Sequence, residues 1–189
     1  MLRRLLAPAL ILAVLGSAVT VAYASNDRGD LSRVKHATAK YRKLSVAQAA
    51  GYGQFLDAKG IACIDMPDMG AMGFHYVKGP LVVDGAIDAL TPEAVVYEGD
   101  EDGHMHLVAL EYVVFKDAWD AHHTSRPSLF GHEFNFTDAG NRYGLPPYYS
   151  LHAWLFKHNP AGTFAMWNPD VSCTPGDDHE DHSGHHMED

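Results

Sequence analysis

Apolar and polar positions along this chain change period once, near Ile61. From Asp30 the apolar residues Leu31, Val34, Ala37 and Tyr41 recur at helical spacing, with Lys35, Arg42 and Lys43 opposite. This predicts an amphipathic helix capped by Asp30. Ser45-Val46-Ala47-Gln48 matches a capping box and opens a second, Ala-rich helix ended by Gly51 and Gly53. Beyond Ile61 the pattern is strand, turn and strand. Phe74 to Val77 reads as a β segment and Gly79-Pro80 breaks it. Pro92 to Glu98 is a second strand with Ala94, Val96 and Glu98 on one face, and Gly99 to Gly103 is a hairpin turn by composition. The returning strand, His104 to Phe115, places Met105, Leu107, Ala109, Glu111, Val113 and Phe115 on one side by simple alternation.

Asp117 to Pro147 carries no sustained period, and a loop of that length in a compact domain is usually a functional cover or disordered. Its Trp119, Leu129, Phe130, Phe134 and Phe136 predict that it packs down. The strand from Tyr149 to Phe156 is apolar on both faces, so both faces are expected to be covered. The whole pattern predicts an α+β fold, with N-terminal helices packed on a curved, mainly antiparallel sheet or small open β-barrel and the long loop closing one end.

Composition adds a compartment. Arg3 and Arg4, an apolar run from Leu5 to Val21 and the small-x-small end Ala22-Tyr23-Ala24 have the form of a secretory signal peptide, residues 1–24, with a retained membrane anchor as the alternative. Residues 25–176 then form a single globular domain and 177–189 a disordered His/Asp-rich tail. No later segment could cross a bilayer. The formal charge of −10 makes nucleic acid an improbable partner. Cys63 and Cys173 are expected to pair as a disulfide in a periplasmic or secreted protein, with a thiolate metal site as the alternative.

Four polar residues interrupt apolar strand faces: His75, Glu98, Glu111 and His152. A buried imidazole without a partner is costly, so His152 needs one. Two imidazoles and two carboxylates make a mixed nitrogen and oxygen shell for a divalent transition metal, zinc or copper first. Two carboxylates in one apolar interior could not both ionise without a cation between them, unless one were protonated. A metal-free polar network is the other reading. His104-Met105-His106 with Glu111 resembles the first cupin motif, although alternation puts Glu111 on the opposite face unless a bulge intervenes, and no second motif is clear. His104, His106, His179, His182, His185 and His186 are auxiliary metal candidates. Two alternative functions are a mononuclear metal-dependent enzyme of cupin-like type, its metal keeping an open position for water or substrate, and a metal-free carrier that would hold a small apolar ligand among Phe74, Tyr76, Trp154 and Phe156. Met66, Met69 and Met72 could give soft ligands, but methionines more often pack cores. No nucleophile elbow or phosphate-cradling loop occurs, and substrate, catalysis and oligomeric state are not legible.

Gly70-Ala71-Met72-Gly73-Phe74-His75-Tyr76, Val96-Tyr97-Glu98, Leu110-Glu111-Tyr112-Val113, Leu151-His152-Ala153-Trp154, Asn159-Pro160-Ala161-Gly162 and Trp167-Asn168-Pro169 together resemble a family of small exported bacterial proteins. The resemblance covers roughly Ile61 to Cys173. It implies that His75, Glu98, Glu111, His152 and the two cysteines belong to one recurring pattern, and it implies no mechanism.

Overall fold

A computed structural model describes residues 27–173 of the chain. The elements run α1 (Asp27–Thr38), a 3-10 turn (Ala39–Arg42), α2 (Leu44–Ala49), β1 (Gly53–Gln54), β2 (Cys63–Met66), β3 (Gly70–Val77), α3 (Gly79–Val82), β4 (Ala94–Gly99), β5 (Met105–Phe115), α4 (Lys116–Asp120), β6 (Ser128–Leu129), β7 (His132–Glu133), β8 (Asn135–Thr137) and β9 (Tyr148–Ala153). Seven strands form one antiparallel sheet in the order β1-β3-β4-β5-β9-β8, with β2 also paired to β3, while β6 and β7 form a separate ribbon. The sheet does not close into a barrel, and the α+β expectation holds. Among the described residues no helix is long and apolar enough to cross a membrane. The proposed leader and tail lie outside the described residues.

The two faces of the sheet have different jobs. One packs Tyr76, Val95, Tyr97, Leu110, Tyr112 and Leu151 against Val34, Tyr41, Ala47 and Tyr52 of the N-terminal helical layer. Its buried phenols donate to backbone carbonyls: Tyr97 to Tyr41 at 2.6 Å, Tyr52 to Pro92 at 2.7 Å and Tyr112 to Ala89 at 2.8 Å. That is how so many tyrosines are buried without unsatisfied hydroxyls. The opposite face carries Ala71, Val96, Ala109 and Trp154 at one end and Val113 and Tyr148 at the other.

Three local expectations change. Both helices start earlier than their supposed caps: Asp30 lies inside α1, and Lys43, without a side-chain bond, precedes α2, so Ser45 caps nothing. Burial of Ala47, not a capping box, explains where α2 forms. In β5 the alternation is broken by a bulge, because Val96 pairs with Ala109 but Tyr97 pairs with Leu107, leaving Val108 as the extra residue. Leu107 therefore joins Leu110 and Tyr112 on the helix side, while Ala109 and Glu111 face the other way. The loop after Asp117 holds short elements; it buries Phe134, and its Phe136 stays exposed.

Gly73 is a second point where β3 departs from regularity. Its φ is +99°, and a Cβ there would stand 2.5 Å from the Tyr97 carbonyl oxygen. Gly73→Ala is expected to lower unfolding free energy by about 2 to 3 kcal/mol in urea titration. An unchanged midpoint would mean that the β3–β4 approach is looser than described.

Candidate metal centre

Directly opposed residues of antiparallel strands share a face, so the register fixes which side chains meet. Glu111 of β5 is opposite His152 of β9. His75 of β3 is opposite Val96 of β4, which is opposite Ala109 of β5, two positions before Glu111. All lie on the face away from the helices. Short side chains at Val96 and Ala109 leave room for His75 to lean across them.

The result is convergence. His75 Nε2 is 3.4 Å from His152 Nε2 and 3.5 Å from Glu111 Oε2, and His152 Nδ1 is 3.8 Å from Glu111 Oε1. The two rings are nearly perpendicular, at 84°. One ligand atom from each of the three residues lies within 4.8 Å of the others. His152 is 1% exposed, and its ring lies parallel to Trp154.

Burial sets the charges. Desolvation holds His75 at about 4, opposed by the Glu111 carboxylate and reinforced by His152, and desolvation alone holds His152 at about 4. Both rings are therefore neutral near pH 7, with lone pairs to offer. Burial pushes the Glu111 carboxyl above its ordinary value, opposed by His75 and by a hydrogen bond from the Ser150 hydroxyl. The Gly73 backbone beside the His75 ring opposes a small part of the lowering at His75. His152 Nδ1 has no hydrogen-bond partner although it is shut off from solvent. Such an orphan costs about 1 to 3 kcal/mol.

The sequence candidates separate here. His75, Glu111 and His152 meet; Glu98 does not join them. Its carboxylate accepts from Lys157 Nζ at 2.6 Å and from the Ser172 N–H at 3.1 Å, so it ties β4 to the C-terminal segment. The β5 bulge does put His106 on the Glu111 side, but both hairpin imidazoles are solvated. The His104 and His106 side chains are 73% and 62% exposed and contact Asp100. The cupin-like arrangement is therefore absent from the described residues. His179, His182, His185 and His186 lie outside them. Met69 is exposed, and the Met72 sulfur takes the Tyr143 hydroxyl at 3.8 Å.

A pocket of about 650 Å³ opens over the cluster. His75, Glu111, Ser150 and His152 are at its floor; Val77, Val113, Phe115 and Tyr148 continue the same sheet face. Met166 and Trp167 make one wall, and the segment from Thr137 to Leu145 another. Arg142 anchors that segment by pairing with Asp57 at 3.0 Å, and Asp57, also bonded to the Ile61 and Lys59 N–H groups, is held below the usual carboxylate range. Phe74, Tyr76 and Phe156, expected around an apolar ligand, instead pack on the helix side, and Trp154 packs with Val171 beside the floor. Ser150 was missed, although its position two before His152 puts it on the same face. Glu93, a buried acid at the start of β4, had no signal at all. Compared with family models, with curated proteins and with solved structures, the chain has no match.

Proposed function

We propose that this protein is exported and binds one divalent transition metal ion through His75, Glu111 and His152 at the floor of an apolar pocket. The observation that carries this reading is the meeting of two neutral imidazoles and one carboxylate from three separate strands, with one ligand atom from each within 4.8 Å of the others. Zinc is favoured over copper(II). Bonds of about 2.0–2.1 Å to a tetrahedral zinc separate two nitrogens by about 3.3–3.4 Å, whereas adjacent nitrogens in a tetragonal site stand about 2.8–3.0 Å apart. The His75 to His152 separation is 3.4 Å. Three protein ligands leave a coordination position for water or a substrate, the arrangement of catalytic rather than structural zinc. Pairing of Cys63 with Cys173 supports an oxidising compartment.

Equilibrium dialysis against zinc tests the site, using full-length chain with the four tail histidines replaced by Ala. One ion per chain is expected. Binding should vanish in His75→Ala and His152→Ala, and zinc at a hundred times its dissociation constant should raise unfolding free energy by about 2.7 kcal/mol. Zinc binding unaffected by both changes would sink the proposal. Glu98→Gln separates the three-residue set from the four-residue one: it should keep full stoichiometry, because Lys157 and Ser172 already occupy that carboxylate. The second reading, a metal-free carrier, is favoured by the pocket itself and would be supported by a folded chain that takes up no metal.

A further inference from the structure

The open position faces a space far larger than a water molecule needs, and the lining of that space is chemically one-sided. Val77, Val82, Val113, Phe115 and Leu145 supply apolar wall, and Met66, Met72 and Met166 supply flexible thioethers that adapt to irregular shapes. The volume, about 650 Å³, lies within the range of small-molecule sites. Its floor is buried, with His75 and Val82 each 6% exposed, while Val83 at its edge is 58% exposed. Met66, another lining residue, is 41% exposed, so a ligand entering from this exposed rim meets the buried cluster last.

Charge then selects the end of the ligand that meets the cluster. Two neutral imidazoles and one carboxylate around a divalent ion leave one positive charge in an apolar interior, and such a charge is costly unless paired. The cation of the pocket wall, Arg142, is already bound to Asp57 through both Nε and Nη2. A monoanionic oxygen donor on the ion would complete neutrality; an ammonium group would add to the imbalance.

Resting on the metal-binding reading above, we infer that the natural ligand of this pocket is a small apolar carboxylic acid, its carboxylate on the ion and its hydrocarbon body against the Val and Met wall. An acetate-sized anion fills only the floor. An acid with an aromatic or branched aliphatic body also removes the wall from water, and that burial supplies the larger part of its affinity.

The test uses the same full-length protein with the four tail histidines replaced by Ala, loaded with cobalt(II), whose visible spectrum reports its coordination. 3-Phenylpropionate is titrated beside acetate, 3-phenylpropan-1-ol and 3-phenylpropylamine, with calorimetry on loaded and metal-free protein. The acid is expected to change the cobalt spectrum, and to bind at least about tenfold tighter than acetate, than the alcohol or amine, and than it binds metal-free protein. A spectrum indifferent to the acid, or equal affinity for acetate or the amine, overturns the ligand class while leaving stoichiometric cobalt, and hence the metal site, intact. Failure of His75 and His152 to hold cobalt at all overturns both.

Discussion

Glu93→Gln is expected to make the metal-free protein more stable than its parent, by a margin that grows from near zero at about pH 4 to roughly 4 kcal/mol above about pH 8. Glu93 is 2% exposed, and one of its oxygens accepts the Val113 N–H at 3.0 Å. That N–H lies just past the point where β4 stops pairing with β5, at Ala94 and Glu111, so the side chain takes over from the missing strand. Burial is the main reason its carboxyl is pushed up to about 8. A group with its folded value raised above the unfolded one contributes stability that is full below the unfolded value, about 4.5, and lost as pH rises through about 8. Gln keeps an oxygen for Val113 and carries no proton to lose.

The two buried imidazoles act in the opposite direction. Their folded values, about 4, lie below the ordinary 6.5, so the unfolded chain takes up protons first and stability falls as pH drops from about 6.5 toward 4. Parent and variant share that loss. Subtracting their urea-derived free energies at each pH isolates Glu93, and a difference that stays flat from about pH 5 to 9 would show that Glu93 ionises normally in the fold.

The other large effect belongs to the disulfide between Cys63 and Cys173, separated by 110 residues. Cross-linking so long a loop restricts the unfolded chain, and the chain-entropy model gives about 4 to 5 kcal/mol for it. The double variant Cys63→Ser/Cys173→Ser is expected to lose that much in urea unfolding while keeping its native near-ultraviolet spectrum. The reason is that the C-terminal segment has another anchor. Asn168 is fully buried; its N–H and carbonyl pair with Ala71 at 3.1 Å each, and its side chain donates to the His158 carbonyl at 2.9 Å. Met166 and Trp167 should stay at the pocket wall. A loss under about 1 kcal/mol would mean that the unfolded chain is already compact enough to keep those ends near each other.

How much of the site could be read from the chain is best judged residue by residue. His152 was legible because β9 is buried on both faces, and a histidine there demands a partner. Glu111 was legible as an acid within an apolar strand. Glu98 looked equivalent, since it shares an alternation face with Ala94 and Val96, yet its charge is met by Lys157, 59 positions away. No spacing rule reaches that far. The bulge at Val108 is also invisible in the pattern, because Leu107, Val108, Ala109 and Leu110 are all apolar and suit either face. The helix starts were misplaced because tertiary burial of Val34 and Ala47, rather than capping chemistry, decides where those helices lie.

Period and composition by themselves determined the α+β class, the change from helix to sheet near Ile61 and the two cysteines available for pairing, because local geometry sorts apolar side chains to one side or the other. Only the tertiary structure decided which three of the four polar strand residues meet, and that an apolar pocket stands above them. Those facts depend on strand order and register, and in an antiparallel sheet these are set by contacts between segments far apart in the chain, where a one-residue bulge reverses every later side chain.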